Sequence, residues 1–161
     1  MRIAYLFILL SLMSCSWLIP TPKKAPSANK KQYTLNYKSK EWKQIDQYQS
    51  DFVFQNTSGT TLVINSFCGE FQDQELKVLA LKTFNGLKDI RNRKEGPLKI
   101  LDRDAYSLQA DGDLDGVKVN IKVINLRRNN CYYDFLKITP KGVTEVPNQP
   151  EELISRMEFF Q

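Results

Sequence analysis

The sequence predicts an α+β domain in which an antiparallel β-sheet is flanked by two amphipathic helices. Three observations carry that prediction. Several β-rich segments are separated by short turn clusters, and in one of them Val117, Val119, Ile121 and Val123 alternate with Lys118, Asn120 and Lys122, the signature of a half-buried antiparallel strand. Between the strands, Leu76, Leu79, Ala80, Phe84 and Leu87 fall on one stripe at the 3.6-residue period. A second such stripe, Leu153, Ile154, Met157 and Phe160, closes the chain.

Taken in order, the folded domain spans 33–161. "YTLNY" (33–37), "DFVFQN" (51–56) and the β-branched run "TTLVINSF" (60–67) read as strands. The turn cluster "NTSG" (56–59) makes 51–67 a hairpin. Residues 73–87 form the first helix, with Asp73 as its N-cap and Gly86 as its stop. "KDIRNRKEGP" (88–97) reads as a polar loop. Strands follow at 98–104, 105–111, 117–126 and 131–139. The alternation breaks at Val123-Ile124, which signals a bulge or burial on both faces. Residues 148–160 form the second helix, with Pro150 in its first turn.

Ahead of the domain lie two segments of different character. Met1-Arg2 and the apolar run Ile3–Met13 form a charged start and an eleven-residue hydrophobic stretch that would rise only about 16 Å as a helix. That is too short to cross a bilayer and suits a signal-peptide core. Leu12-Met13-Ser14-Cys15 resembles the bacterial lipobox, in which the cysteine thiol is diacylated and the bond before it is cut. The resemblance implies a signal peptide at 1–14, lipidation at Cys15 and membrane attachment through that residue; the alternative is a plain signal peptide with an incidental cysteine. Two or three acyl chains would make the attachment durable, because each buried CH₂ contributes about 0.8 kcal/mol. Under the sorting rule of well-studied Gram-negative lipoproteins, Ser16 rather than Asp after the acylated cysteine favours the outer membrane, with the domain facing the periplasm. Residues 15–32, rich in Pro and Lys, read as a tether. Trp17 suits the bilayer interface, and Lys23, Lys24, Lys30 and Lys31 either touch anionic head groups or are simply solvated.

Composition narrows the chemistry. Of 161 residues, 25% are charged and 42% hydrophobic, with a formal net charge of +5. That is a globular, mildly basic composition that selects no partner. There is no histidine, which removes the commonest general base and the Ser-His-Asp and Cys-His arrangements. The expectation is therefore a non-enzyme without a cofactor. With Cys15 acylated, Cys68 and Cys131 remain as an even pair in an oxidising compartment, where a structural disulfide is expected. Two separately buried thiols are the alternative.

Three motifs invite chemical readings. "DGDLDG" (111–116) places Asp111, Asp113 and Asp115 at the spacing that opens an EF-hand loop, yet the closing Glu position holds Lys122 and strands flank it. A hairpin turn built from Asp and Gly accounts for the same residues, so no metal site is expected. "RRNNCYYDF" (127–135) interleaves basic and aromatic residues, but Asn129-Asn130 is turn chemistry, and no nucleic-acid partner is expected. "RNRKEG" (91–96) is either a solvated loop or a contact for acidic glycans or lipids.

The segments "GTTLVINSFC", "DRDAYSLQADGDLDGVKVNIKVI" and "NNCYYDFLKIT", followed by a C-terminal helix, resemble a group of small bacterial lipoproteins. Their domain is similar to the extrinsic photosystem protein PsbP and related Ran-binding α/β/α sandwiches. The resemblance covers about 33–161 and implies a non-catalytic binding or assembly module; it carries over no contact residues. Two functions follow as expectations. One is an interaction module of the bacterial cell envelope that contacts an envelope protein through the sheet edge or the basic loops. The other is a carrier of a lipid or other apolar ligand, with Phe52, Phe54, Phe84 and Phe135 lining its pocket.

Overall fold

The computed structural model describes residues 33–46, 50–69, 73–144 and 149–160. The leader, Cys15 and the tether lie outside the described residues. The elements are β1 (Tyr33–Leu35), β2 (Trp42–Gln44), β3 (Phe52–Asn56), β4 (Thr61–Cys68), α1 (Leu76–Thr83), β5 (Lys88–Ile100), β6 (Arg103–Leu114), β7 (Val117–Arg128), β8 (Cys131–Pro140), α2 (Gln149–Ser155) and β9 (Met157–Phe159). Strands take 58% of the described residues, and the two helices hold eight and seven residues. The domain is therefore mostly β, which corrects the α+β expectation.

Two reassignments account for the difference. Residues 88–97 are not a loop but most of β5, the outermost strand of the large sheet. Their side chains are almost all exposed, so no hydrophobic alternation marks them. Charged side chains and Pro97 on an unpaired edge are the usual protection against unwanted strand pairing. The last turn of the expected second helix is instead β9, which pairs with β1 in a separate two-stranded sheet. There Met157 is buried, while Phe160 is 50% exposed, the reverse of its place on the predicted stripe. The first helix is also shorter than 73–87. Glu75 rather than Asp73 occupies its N-cap, although Leu79, Ala80, Phe84 and Leu87 are buried as the stripe requires. Sequence reading missed β2, which is only three residues long.

The seven-stranded sheet runs β2-β3-β4-β8-β7-β6-β5, and every pairing is antiparallel. The β3–β4 hairpin is closed by Asn56, whose side-chain oxygen accepts the Ser58 and Thr60 backbone N–H groups. Two further hairpins turn on the pairs Asp115-Gly116 and Asn129-Asn130, all four residues at positive φ, as tight two-residue hairpin turns require. The β5–β6 turn has the same geometry with Leu101 and Asp102 at φ 50° and 57°. Leucine is poorly suited to this region, so the sequence placed that boundary three residues late.

Alternate side chains feed two cores. On one face Leu62, Ile64, Ile124, Leu126, Tyr133 and Phe135 pack beneath Leu153, Ile154 and Met157 of the C-terminal segment and Tyr33 of β1. On the other, Leu108, Ala110, Val119, Ile121 and Val123 pack beneath Ala80 of α1, its C-cap Phe84, and Leu87. Val123 and Ile124 thus belong to opposite cores. The register of β7 with both neighbours runs through them without a shift, so burial on both faces, not a bulge, breaks the alternation.

Candidate functional site: a charged groove opposite the disulfide

Cys68 and Cys131 are directly opposed across β4 and β8 and are disulfide-bonded, with Cα atoms 4.0 Å apart. Gly69 N–H donates to the Asn130 carbonyl next to them, which leaves the cysteines at the close, non-hydrogen-bonded kind of position in the ladder. The bridge locks one end of the central strands. Beside it, Tyr33 and Ser66 donate to Asp51 Oδ2 at 2.8 and 2.5 Å, tying β1 to the sheet.

The opposite end of the sheet is polar. Asp111 on β6 lies opposite Asn120 on β7 and Arg91 on β5. Its carboxylate accepts hydrogen bonds from Asn120 Nδ2 at 2.8 Å and Asn92 Nδ2 at 2.7 Å. These bonds, helped by the nearby Lys141 and Lys94 charges, hold it below the usual carboxylate range. Asn92 reaches it because β5 is irregular there, with register shifts on both sides of Arg91 and positive φ at Asp89 and Asn92. Two adjoining depressions meet at Asp111. One, of about 410 Å³, is lined by Asn92, Arg93, Lys94, Gln109, Asp111 and Asn120. The other, of about 140 Å³, is lined by Asp89, Arg91, Asp113, Lys118 and Lys141 as well as Asp111. Four cations here, Arg91, Lys94, Lys118 and Lys141, are exposed and make no ion pair among the described residues. Arg93 and Lys122, by contrast, pair with Glu95 and Glu151 at 2.6 and 2.5 Å.

The three aspartates of the EF-hand-like stretch do separate work. Asp111 is held by the two amides, Asp113 Oδ1 accepts the Gly116 N–H at 2.7 Å to close the turn, and Asp115 is in the turn itself. Among the described residues no group of three or more acidic, Cys or His side chains is placed to hold a metal. Of the four phenylalanines expected around an apolar ligand, Phe52, Phe54 and Phe135 share one core, while Phe84 lies in the core on the other side of the sheet. The structure does not bring them together. Sequence reading singled out Arg91, Arg93 and Lys94 but missed Lys118 and Lys141. Lys118 shares the polar phase of β7 with Asn120 and Lys122, and that phase was the available signal.

No family model matches the chain, and no curated protein is similar to it in sequence. Solved structures are similar in fold. A protein from Bacteroides thetaiotaomicron matches with a TM-score of 0.58 at 17% identity, over 81% of this chain and 46% of its own. The chain therefore spans about half the length of that protein. Cyanobacterial PsbP (CyanoP) from Synechocystis sp. PCC 6803 matches with a TM-score of 0.52 at 11% identity, over 80% of this chain and 87% of its own. The fold is PsbP-like.

Proposed function

We propose that this protein is a lipoprotein of the bacterial cell envelope, attached through Cys15 to the outer membrane and facing the periplasm, whose domain is a non-catalytic docking module for an envelope partner. The observation that carries the docking reading is the group of four cations without ion pairs around Asp111, displayed on a sheet that the Cys68–Cys131 bridge braces at its other end. Exposed cations left unpaired at a concave site are available to a ligand without first breaking an internal contact. Support for the anchor comes from the lipobox-like Leu12–Cys15, and a disulfide fits an exported, oxidising compartment. Phe84 lies in the core across the sheet from Phe52, Phe54 and Phe135, which favours the docking reading over a carrier with all four around one ligand.

Cys15→Ser in the full chain tests the anchor. The variant is expected to accumulate as uncleaved precursor or soluble protein and to lose metabolic labelling with palmitate. If it fractionates with membranes, lacks residues 1–14 and differs in mass from the wild type only by the side-chain exchange, the anchor is wrong.

A further inference from the structure

We propose that Asn85 is a site of spontaneous covalent modification: it loses its side-chain amide through a succinimide formed with the Gly86 nitrogen, and the isoaspartyl product loosens the cover of the second core. Asn85-Gly86 is the only Asn-Gly pair in the sequence. It lies in the turn between α1 and β5, and both residues are exposed. Among the described residues, neither the Asn85 side-chain amide nor the Gly86 N–H makes a hydrogen bond. The turn rests on local main-chain bonds, from Asn85 N–H to the Lys82 carbonyl and from Leu87 N–H to the Phe84 carbonyl. Gly86 has no Cβ to crowd attack by its nitrogen. Hydroxide removes the Gly86 N–H proton, and the nitrogen bonds to Asn85 Cγ. The Cγ–N bond to the amide breaks, and ammonia leaves with a proton from water, which regenerates hydroxide. Water then adds to either ring carbonyl and the ring C–N bond there breaks. Opening at the main-chain carbonyl leaves isoaspartate at position 85, and opening at Cγ leaves aspartate. No oxidant or reductant is needed.

The related pairs lack this freedom. Gly116, after Asp115, donates its N–H to Asp113 Oδ1 at 2.7 Å. Gly112, after Asp111, lies within β6 opposite Val119. The Asn56 side-chain oxygen is held by the Ser58 and Thr60 N–H groups, and Asn129 Nδ2 donates to the Phe160 carbonyl. The product matters because of what flanks the turn. An isoaspartyl link adds a carbon to the main chain between Phe84 and Leu87, which are both buried, at 6% and 8% exposure. Leu87 is seated so closely on Gly112 that a Cβ there would lie 2.4 Å from its Cγ. The longer link displaces Phe84 or Leu87, and a close-packed interior loses contacts when either shifts.

The test ages the full chain in mildly alkaline buffer and follows the tryptic peptide Thr83–Lys88 by mass spectrometry, with isoaspartate scored by enzymatic methylation. Asn85 is expected to convert at least about tenfold faster than any other described asparagine, a barrier lower by about 1.4 kcal/mol. The rate should rise with pH, because the Gly86 nitrogen must lose its proton. Gly86→Ala, whose added Cβ would meet Leu114 at 3.9 Å and whose φ is not positive, should fold and convert at least about tenfold more slowly. Aged protein rich in isoaspartate should melt several degrees lower than fresh protein. Asn85→Asp, which carries the new charge without the longer main chain, should melt as fresh protein does. The inference is overturned if other asparagines convert while Asn85 stays intact, if Gly86→Ala converts as fast as the parent, or if aged protein melts no lower than Asn85→Asp.

Discussion

Asp134→Asn should stabilise the protein at neutral pH and do nothing in acid. Asp134 lies at the middle of β8, with Asn65 and Asn125 as its cross-strand partners. Asn125 Nδ2 donates to its carboxylate and to the Tyr132 hydroxyl at 2.5 Å, and Tyr132 also bonds the carboxylate. Among the described residues it makes no ion pair: burial dominates and pushes the carboxyl from 3.8 up to about 6, against the two hydrogen bonds that favour ionisation. Because the folded state holds the proton more tightly than the unfolded chain, this group's contribution falls as pH rises from about 4 to about 6 and stays low above that. Two units at about 1.4 kcal/mol each give about 3 kcal/mol. The amide keeps an oxygen to accept hydrogen bonds and brings an N–H₂ to the cross-strand partner of Asn65, whose Oδ1 is buried without a partner. Urea unfolding of the oxidised protein at pH 4 and pH 7.5 measures the difference. Asp111 and Glu95, both held low, act with the opposite sign but are common to both proteins and cancel. A gain of about 2–3 kcal/mol at pH 7.5 that vanishes at pH 4 is expected. A gain independent of pH, or a loss at both, would refute the argument from desolvation.

Three further outcomes follow from the packing. Cys68→Ser with Cys131→Ser should cost about 4 kcal/mol in urea unfolding, because the bridge closes a separation of 63 residues; a loss under about 1 kcal/mol would contradict the loop-closure argument. Gly112→Ala should cost about 1–3 kcal/mol, because an added Cβ would lie 2.4 Å from Leu87 Cγ, whereas Gly86→Ala, whose nearest atom is at 3.9 Å, should be tolerated; equal effects would overturn the packing account. Millimolar Ca²⁺ should leave the melting temperature unchanged, since Asp113 closes a turn rather than a coordination shell; a rise abolished by Asp113→Ala would restore a metal site.

What the sequence revealed depended on whether chemistry and geometry coincide at single residues. Asp115-Gly116 and Asn129-Asn130 are residue types that accept positive φ, so both hairpins were legible. Leu101-Asp102 adopts the same turn without that signature and was not. The 88–97 part of β5 was hidden because its side chains are almost all in solvent and show no alternation, whereas Leu98 and Ile100, which pack on a core, were legible. β9 was hidden because Met157 and Phe159, two apart, are embedded in a run that also satisfies the helical period. These two strands, with the shortening of α1, account for the shift from α+β to mostly β. The cysteines were legible as a pair because, with Cys15 set aside, they are the two that remain. The groove was only half legible: Arg91 and Lys94 stand together in the chain, but Lys118 and Lys141 join them only through the register of β5, β6, β7 and β8, which no local pattern encodes.

Docking of a partner by the anchored domain through this groove is tested most directly by site-specific photocrosslinking in intact envelopes. A photoreactive residue at Lys94 or Lys141 of the full chain should yield one discrete protein adduct in the membrane fraction. That adduct should be lost on Lys118→Glu and absent when the probe replaces Lys43 on β2. Adducts of equal yield from Lys43, or none from either groove position, would contradict the claim.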